Sequence, residues 1–310
     1  MKMTTGKTKG KKSVARIILL VAICVVLIFA VVIGALLVRK YAAGKQFQKE
    51  AQEFYNPVSS IENKDGTPSK SGNTIDKKTG VVKDFNKLYE INKDTIGWLS
   101  IPETRLDLPV AKASDNTYYL NHTITKKSYS LGIPFADSKA TFTKDKQSNN
   151  ITIYSHAAKD GSYFAVLKNY KDVAFYKSHP NITFNTIYGT GNYKIIGLFM
   201  EDVSDNNKAM FNYHDYTDMN EAQFNDYVAN VMKRNYFKTS VDTKFGDQLI
   251  TLSTCDYEVN NTDFRIALVA RKVRAGESAK VDTGSAVKNA NQMMPARWYE
   301  KKDIKNPFAK

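Results

Sequence analysis

Cysteine is scarce in these 310 residues: there are two, and Cys24 lies inside a long apolar run. Cys255 stands alone in the rest of the chain, so that part cannot close an internal disulfide. A lone thiol outside the cell is a flag for reactivity or intermolecular pairing. There is no CxxC, no HExxH and no paired histidine spacing, so no metal is expected. No glycine-rich phosphate loop is present, and no cofactor is expected. No internal repeat is visible. Acidic residues are missing from positions 1–40, which hold eight Lys or Arg and supply +8 of the net +14. The other 270 residues carry 37 basic against 31 acidic side chains, or +6. Of that, residues 276–310 hold +3, from seven basic and four acidic side chains. The central 41–275 region is left with +3 and no dense basic stripe, which removes the main support for nucleic acid as a partner.

What is present begins with Ile17 to Val38, 22 residues without a charge. As a helix this run reaches about 33 Å, enough for a bilayer core of about 30 Å. A signal-peptide core is usually about 7–15 residues and ends at a small-residue cleavage site. Here Arg39 and Lys40 close the run, and the bulky Ile23 before Cys24 argues against a lipoprotein signal. A retained anchor is expected. Lys2, Lys7, Lys9, Lys11, Lys12 and Arg16 precede it, against Arg39, Lys40 and Lys45 after it. Positive residues stay inside, so a single-pass protein with a cytoplasmic N-terminus and an extracellular body follows.

The domain divisions expected are a basic segment 1–16, an anchor 17–38, a juxtamembrane helix and linker 39–80, a catalytic domain 81–275 and a C-terminal extension 276–310. Tyr41 to Tyr55 reads as helical through Phe47, Ala51 and Phe54. Strand-like runs occur at 96–101, 150–155, 181–184, 192–198, 248–254 and 264–273, separated by turn formers. A helix is expected over 219–237, with Asp218 and Glu221 as its capping box and Phe224, Tyr227, Val228 and Val231 as its apolar stripe. A second starts near Gly161 and carries Phe164 and Leu167. The fold class is mainly β with short helices around a barrel or sandwich core.

Cys255 ends the run Leu249-Ile250-Thr251-Leu252-Ser253-Thr254-Cys255, and ten residues later Arg265 opens the next. If the two runs pair as an antiparallel hairpin, thiol and guanidinium meet at one rim. An arginine there favours the thiolate and donates hydrogen bonds to a developing oxyanion. The plainer alternative is an inert buried cysteine and a surface arginine. A nucleophilic thiol needs an acid/base partner, and His122, His156, His179 and His214 are the candidates. Of these, His156 follows the strand-like ITIYS, a position like that of Cys255.

These residues resemble a known family. Thr251 to Cys255 is similar to the TLxTC signature of sortases, with Arg265 at the spacing of their arginine. Tyr154-Ser155-His156 with Lys159 to Phe164 resembles the segment around the sortase histidine. Ile96 to Pro102 resembles the GWIxIP opening strand, and Asn116 to Leu120 the stretch before the first helical turn. The long helix just before the cysteine strand points to class B. The resemblance spans roughly 85–275. It implies an eight-stranded β-barrel and a transpeptidase using His156, Cys255 and Arg265, with Asn116, Leu120, Ser253 and Thr254 binding substrate. It also implies that the Cys255 thiolate attacks a threonine carbonyl in a sorting signal borne by surface proteins. The acyl group then passes to a cell-wall precursor amine, from peptidoglycan or a lipid-linked precursor. The anchor would place the chain in membrane lipid. Ala157 stands where asparagine is frequent. Some class B members carry an acidic residue two positions after the cysteine, where Tyr257 stands, so no catalytic role for Asp256 follows. The resemblance offers no reading of 276–310, which is expected to be peripheral to catalysis. Competing readings are a cysteine peptidase or isopeptidase that hydrolyses the same intermediate, and a wall-associated binding domain without activity.

Overall fold

The computed structural model describes residues 8–55, 74–204, 207, 210–259 and 263–309. Two compact units divide between Glu50 and Ala51. Helix α1, Thr8–Phe54, contains the apolar run, and Arg16–Leu36 is long and apolar enough to cross a membrane. Ile17, Leu20, Phe29 and Leu36 are among its exposed side chains. Most of the expected 56–80 linker lies outside the described residues. Its end is held down, since Asp76 accepts from Lys78 N and from Asn86, and Ile75 bridges to Val82.

The second unit is built on eight strands: β1 Thr95–Ser100, β2 Asp107–Ala111, β3 Phe135–Ala136, β4 Asn150–Tyr154, β5 Asn181–Thr186, β6 Asn192–Asp202, β8 Leu249–Cys255 and β9 Phe264–Lys272. They close into a barrel in the order β1-β2-β3-β4-β8-β9-β6-β5, and a short β7, Phe237–Lys238, stands outside it. Because strand side chains alternate faces, β8 buries two sets of residues. Ile250 and Leu252 enter the barrel interior with Ile153, Leu198 and Leu268. Leu249 faces outward with Ile196, Phe199 and Val269. Around the barrel lie α2 Asn86–Ile91, 3₁₀ turns at Tyr118–Leu120, Phe164–Lys171 and Tyr213–Asp215, and α3 Val173–Ser178. Helix α4, Glu221–Arg234, packs through Phe224, Tyr227 and Val231 on the outward side chains of β6, and reaches β8 at Leu249 and through the Tyr227–Thr251 hydrogen bond. This double burial extends to the hydroxyl side chains of β8, and Thr251, Ser253 and Thr254 are buried with its apolar residues.

α4 starts later than its sequence suggests. Its capping box is Asn220 with Gln223, because Asn149 binds Met219 N (3.0 Å) and Met219 O (2.7 Å) and holds that residue outside the helix. It also ends earlier. Asn235 turns extended and its amide fills the bulge in β6, accepting from Leu198 N (3.0 Å) and donating to Ile196 O (3.0 Å). A Cβ at Gly197 would stand 2.6 Å from that amide, so glycine is required there.

The C-terminal extension packs on the same unit. β10, Val287–Lys288, pairs with β7. α5, Ala296–Lys302, follows, and Ala286, Met294 and Tyr299 are buried in the barrel cluster. Glu277 receives two hydrogen bonds from the buried Arg271 guanidinium, at 2.6 and 2.8 Å, and one from Lys194 at 2.6 Å. Arg271's hydrogen bonds hold the Glu277 carboxyl well below the usual carboxylate range. Its stabilising contribution is therefore complete above the unfolded value of about 4.3 and is lost as pH falls through the lower folded value. Glu277→Gln is expected to cost about 1.5–3 kcal/mol at pH 7, the range for hydrogen bonds to a charged group. Urea melts at pH 7 and pH 3 check this: the gap between parent and variant narrows at the lower pH.

Candidate active site

The hairpin expected from the sequence is present. β8 and β9 pair antiparallel, and Cys255 lies opposite Arg265 on the last rung. β4 pairs parallel to β8 with Tyr154 opposite Ser253. Continuing that register by two residues sets His156 beside Cys255. Ser155 N donates to Ser253 O (3.3 Å) and Thr254 Oγ1 to Ser155 O (2.7 Å), so the two chains stay together there. Residues opposite one another on a ladder share a face, and so do residues two apart on a strand. Cys255 and Arg265 share one face at the last β8–β9 rung, and His156, two residues past the end of β4, continues that row, each of the three half-buried. The row extends to β6, where Glu201 is the register partner of Arg265.

The loop after β4 is closed by a bridge between Ala157 and Tyr163 and by Phe164 N donating to His156 O (3.0 Å). The imidazole Nε2 lies 3.0 Å from Leu120 O. A carbonyl can only accept, so Nε2 carries a hydrogen and Nδ1 remains for proton transfer. The other histidines are engaged elsewhere. His122 stacks on Tyr118 and bonds its carbonyl at 2.7 Å, and His179 caps α3 beside Ser178 and Phe175. His214 sits edge-on to Tyr213.

Leu120 is on the rim, with an exposed side chain and its carbonyl on His156. Asn116 is committed at both ends of its amide, donating to Asp137 Oδ2 (3.2 Å) and accepting from Ser138 N (2.8 Å). Asp137 also accepts from the Tyr154 hydroxyl at 2.7 Å. Ser253 shares a 2.7 Å hydrogen bond with Tyr213 and is buried beneath the row. Thr254 is buried on the opposite face. Asp256 is buried too, ion-paired with Lys171 at 2.7 Å and capping Glu258 N, an arrangement that braces the loop.

Three neighbours carry no sequence signal strong enough to single them out. Tyr213 lies over Ser253. Burial pushes its phenol up to about 12, against the pull of the Ser253 hydrogen bond and the Arg265 charge. Tyr257 is exposed beside the thiol. Partial burial and Cys255 raise its phenol, while Arg265 lowers it. Glu201 is buried, with Arg234 Nε of α4 at 3.2 Å; burial raises its carboxyl to about 7 although Arg234 opposes the shift. The signal available is the pair Glu201-Asp202 ending an otherwise apolar strand. Among the described residues no group of His, Cys, Asp and Glu could hold a metal ion.

This arrangement can present a thiol, an acid/base and a guanidinium to one carbonyl group. No family model matches the sequence. The chain is 33% identical over 196 residues to Sortase B of Listeria monocytogenes, covering 63% of this chain and 76% of that protein. The Staphylococcus aureus sortase B–substrate complex is 26% identical, with a TM-score of 0.57 over 64% of this chain and 88% of that one. A sortase B structure complexed with triglycine is also 26% identical, with a TM-score of 0.55 over 62% of this chain and 86% of that one.

Proposed function

This chain belongs to the class B sortases and is a sortase-type cysteine transpeptidase, and on that premise we propose how its own residues do the chemistry. The observation that carries the assignment is Cys255 opposite Arg265 on the last β8–β9 rung, with His156 two residues beyond the neighbouring β4–β8 ladder. The Cys255 thiolate adds to the carbonyl carbon of a threonine in the sorting signal. The carbonyl π electrons move to oxygen, and Arg265 donates to that oxyanion. As the oxyanion collapses, the peptide C–N bond breaks and His156 gives its proton to the leaving amine. A thioacyl enzyme remains. An acceptor amine then attacks it, His156 takes the amine proton, and Cys255 leaves as thiolate. A relative crystallised with triglycine supports a glycine-type amine as acceptor. Leu120, at the rim beside His156, and Asn116, bracing the Asp137 turn, form the near wall of the substrate groove. Ser253 and Thr254 support it from below.

Product analysis tests this reading. With a sorting-signal peptide and triglycine the expected main product is the ligated peptide; a hydrolysed peptide whose yield ignores triglycine is the outcome against it. The acceptor in the cell is a wall-precursor amine and the donors are surface proteins bearing the signal. The helix 17–38 is retained as an anchor with its basic flank in the cytoplasm, which sets the catalytic unit outside at the membrane surface. Since the anchor only tethers, a chain lacking residues 1–40 is expected to keep kcat/KM for a soluble peptide within about 3-fold. A folded but inactive product, restored by adding the helix back, would show that the anchor does more.

A further inference from the structure

Residues 256–264 join Cys255 to Arg265, and the C-terminal extension holds two of the described acidic side chains there, Glu258 and Asp263. Arg297 Nη2 on α5 donates to Asp263 Oδ2 at 3.0 Å, two residues before Arg265, and to Asp202 Oδ1 at the end of β6 at 2.7 Å. Its guanidinium also lies 5.1 Å above the ring of Phe264. Asp202 and Phe264 are register partners, and the next rung is Glu201 with Arg265. Arg297 thus staples the β6–β9 rung beside the one that carries Arg265. Further along α5, Lys302 reaches Glu258 at 3.1 Å, and Lys171 meets the same carboxylate at 2.7 Å. The helix is fixed in turn, because Tyr299 and Met294 are buried in the barrel cluster and Tyr299 OH accepts from Met294 N.

We propose that α5 is a positioning strap for the catalytic loop, with Arg297 its principal residue and Lys302 the second, so that the extension sets the aim of Arg265. The inference rests on the assignment of Cys255 and Arg265 as the reacting pair. Arg297 acts on Arg265 indirectly, through Asp263 and the Asp202–Phe264 rung that immediately precedes it. Misplacing a reacting group by about 1 Å costs up to roughly 10²-fold. The pair with Asp263 is partly exposed and contributes little to global stability, whereas Asp202 is buried, and taking its partner away leaves a buried carboxylate with less compensation. Loss of the strap therefore falls on turnover as well as on stability, which is why KM and the lysine variant are read beside melting.

The test uses the full-length protein in detergent, with kcat and KM for a sorting-signal peptide and the melting temperature measured together. Arg297→Ala is expected to lower kcat about 10-fold, with KM within 3-fold and a melting temperature several degrees lower. Arg297→Lys, which keeps the charge, recovers a third or more of the parent kcat. Arg297→Ala combined with Asp263→Asn falls little below Arg297→Ala alone, because both remove one contact. The strap is overturned if Arg297→Ala and Arg297→Ala/Lys302→Ala both keep kcat within 2-fold of the parent. It is equally overturned if kcat, KM and melting decline together and lysine gives no rescue. Cys255→Ala separates the two levels: activity in that variant defeats the site assignment itself, whereas a dead Cys255→Ala beside an unaffected Arg297→Ala defeats only the strap.

Discussion

Cys255→Ala is expected to abolish peptide cleavage and transpeptidation outright, to the limit of detection, while the protein stays folded. The other thiol, Cys24, lies in the apolar helix and cannot substitute. Alanine at the end of β8 removes the sulfur without disturbing the ladder, whose last rung to Arg265 is made by backbone. The melting temperature should therefore hold. Cys255→Ser tests the same point more sharply, because it keeps a hydroxyl in the same place yet lacks a thiolate. Turnover by either variant at even a few per cent of the parent rate would remove Cys255 as the nucleophile.

His156→Ala carries the next largest effect, and the histidine series is its internal control. General acid–base assistance is typically worth about 10²–10⁴-fold, so a loss of at least that size is expected. His122 and His179 are held by stacking and hydrogen bonds, and His214 sits edge-on to Tyr213, so each should accept alanine within a few-fold. At Arg265, lysine should fail nearly as badly as alanine, since it keeps the charge but loses the planar fork of donors. Loss of an oxyanion donor costs on the order of 10²–10³ in turnover. Steady-state rates with melting temperature alongside check all six variants. An active His156→Ala beside an inactive His179→Ala or His214→Ala would sink the assignment of His156.

The features legible in the sequence are those that neighbouring residues determine. β4, β6, β8 and β9 announce themselves as β-branched runs, and ten residues between Cys255 and Arg265 suffice for a hairpin. The pairing of β4 with β8 joins residues about a hundred apart in parallel, and no local pattern encodes it. β2 is hidden because Pro109 argues against an interior strand; it is tolerated because β3 meets β2 at Ala111 and leaves Pro109 outside that ladder. The ends of α4 escape its own sequence because Asn149 and Asn235, both outside the helix, decide where it starts and stops. The extension reads as peripheral because it has few apolar residues, yet its attachments include Glu277 on Lys194 and Arg297 on Asp202 and Asp263. Ion pairs between residues far apart in the chain leave no periodicity to read. Glu201 is hidden for the same reason, since its meaning comes from standing opposite Arg265.

In the proposed mechanism an acyl group passes through the Cys255 sulfur on its way to an amine. The most direct test is intact-mass and peptide-mapping spectrometry of the full-length protein mixed with a sorting-signal peptide, first without an acceptor and then with triglycine. The account predicts an adduct of the mass of the acyl fragment, mapped to the peptide containing Cys255, that disappears on adding triglycine as the ligated product forms. Cleavage that proceeds at full rate with no adduct on Cys255, or an adduct that triglycine leaves in place while water removes it, would contradict the account.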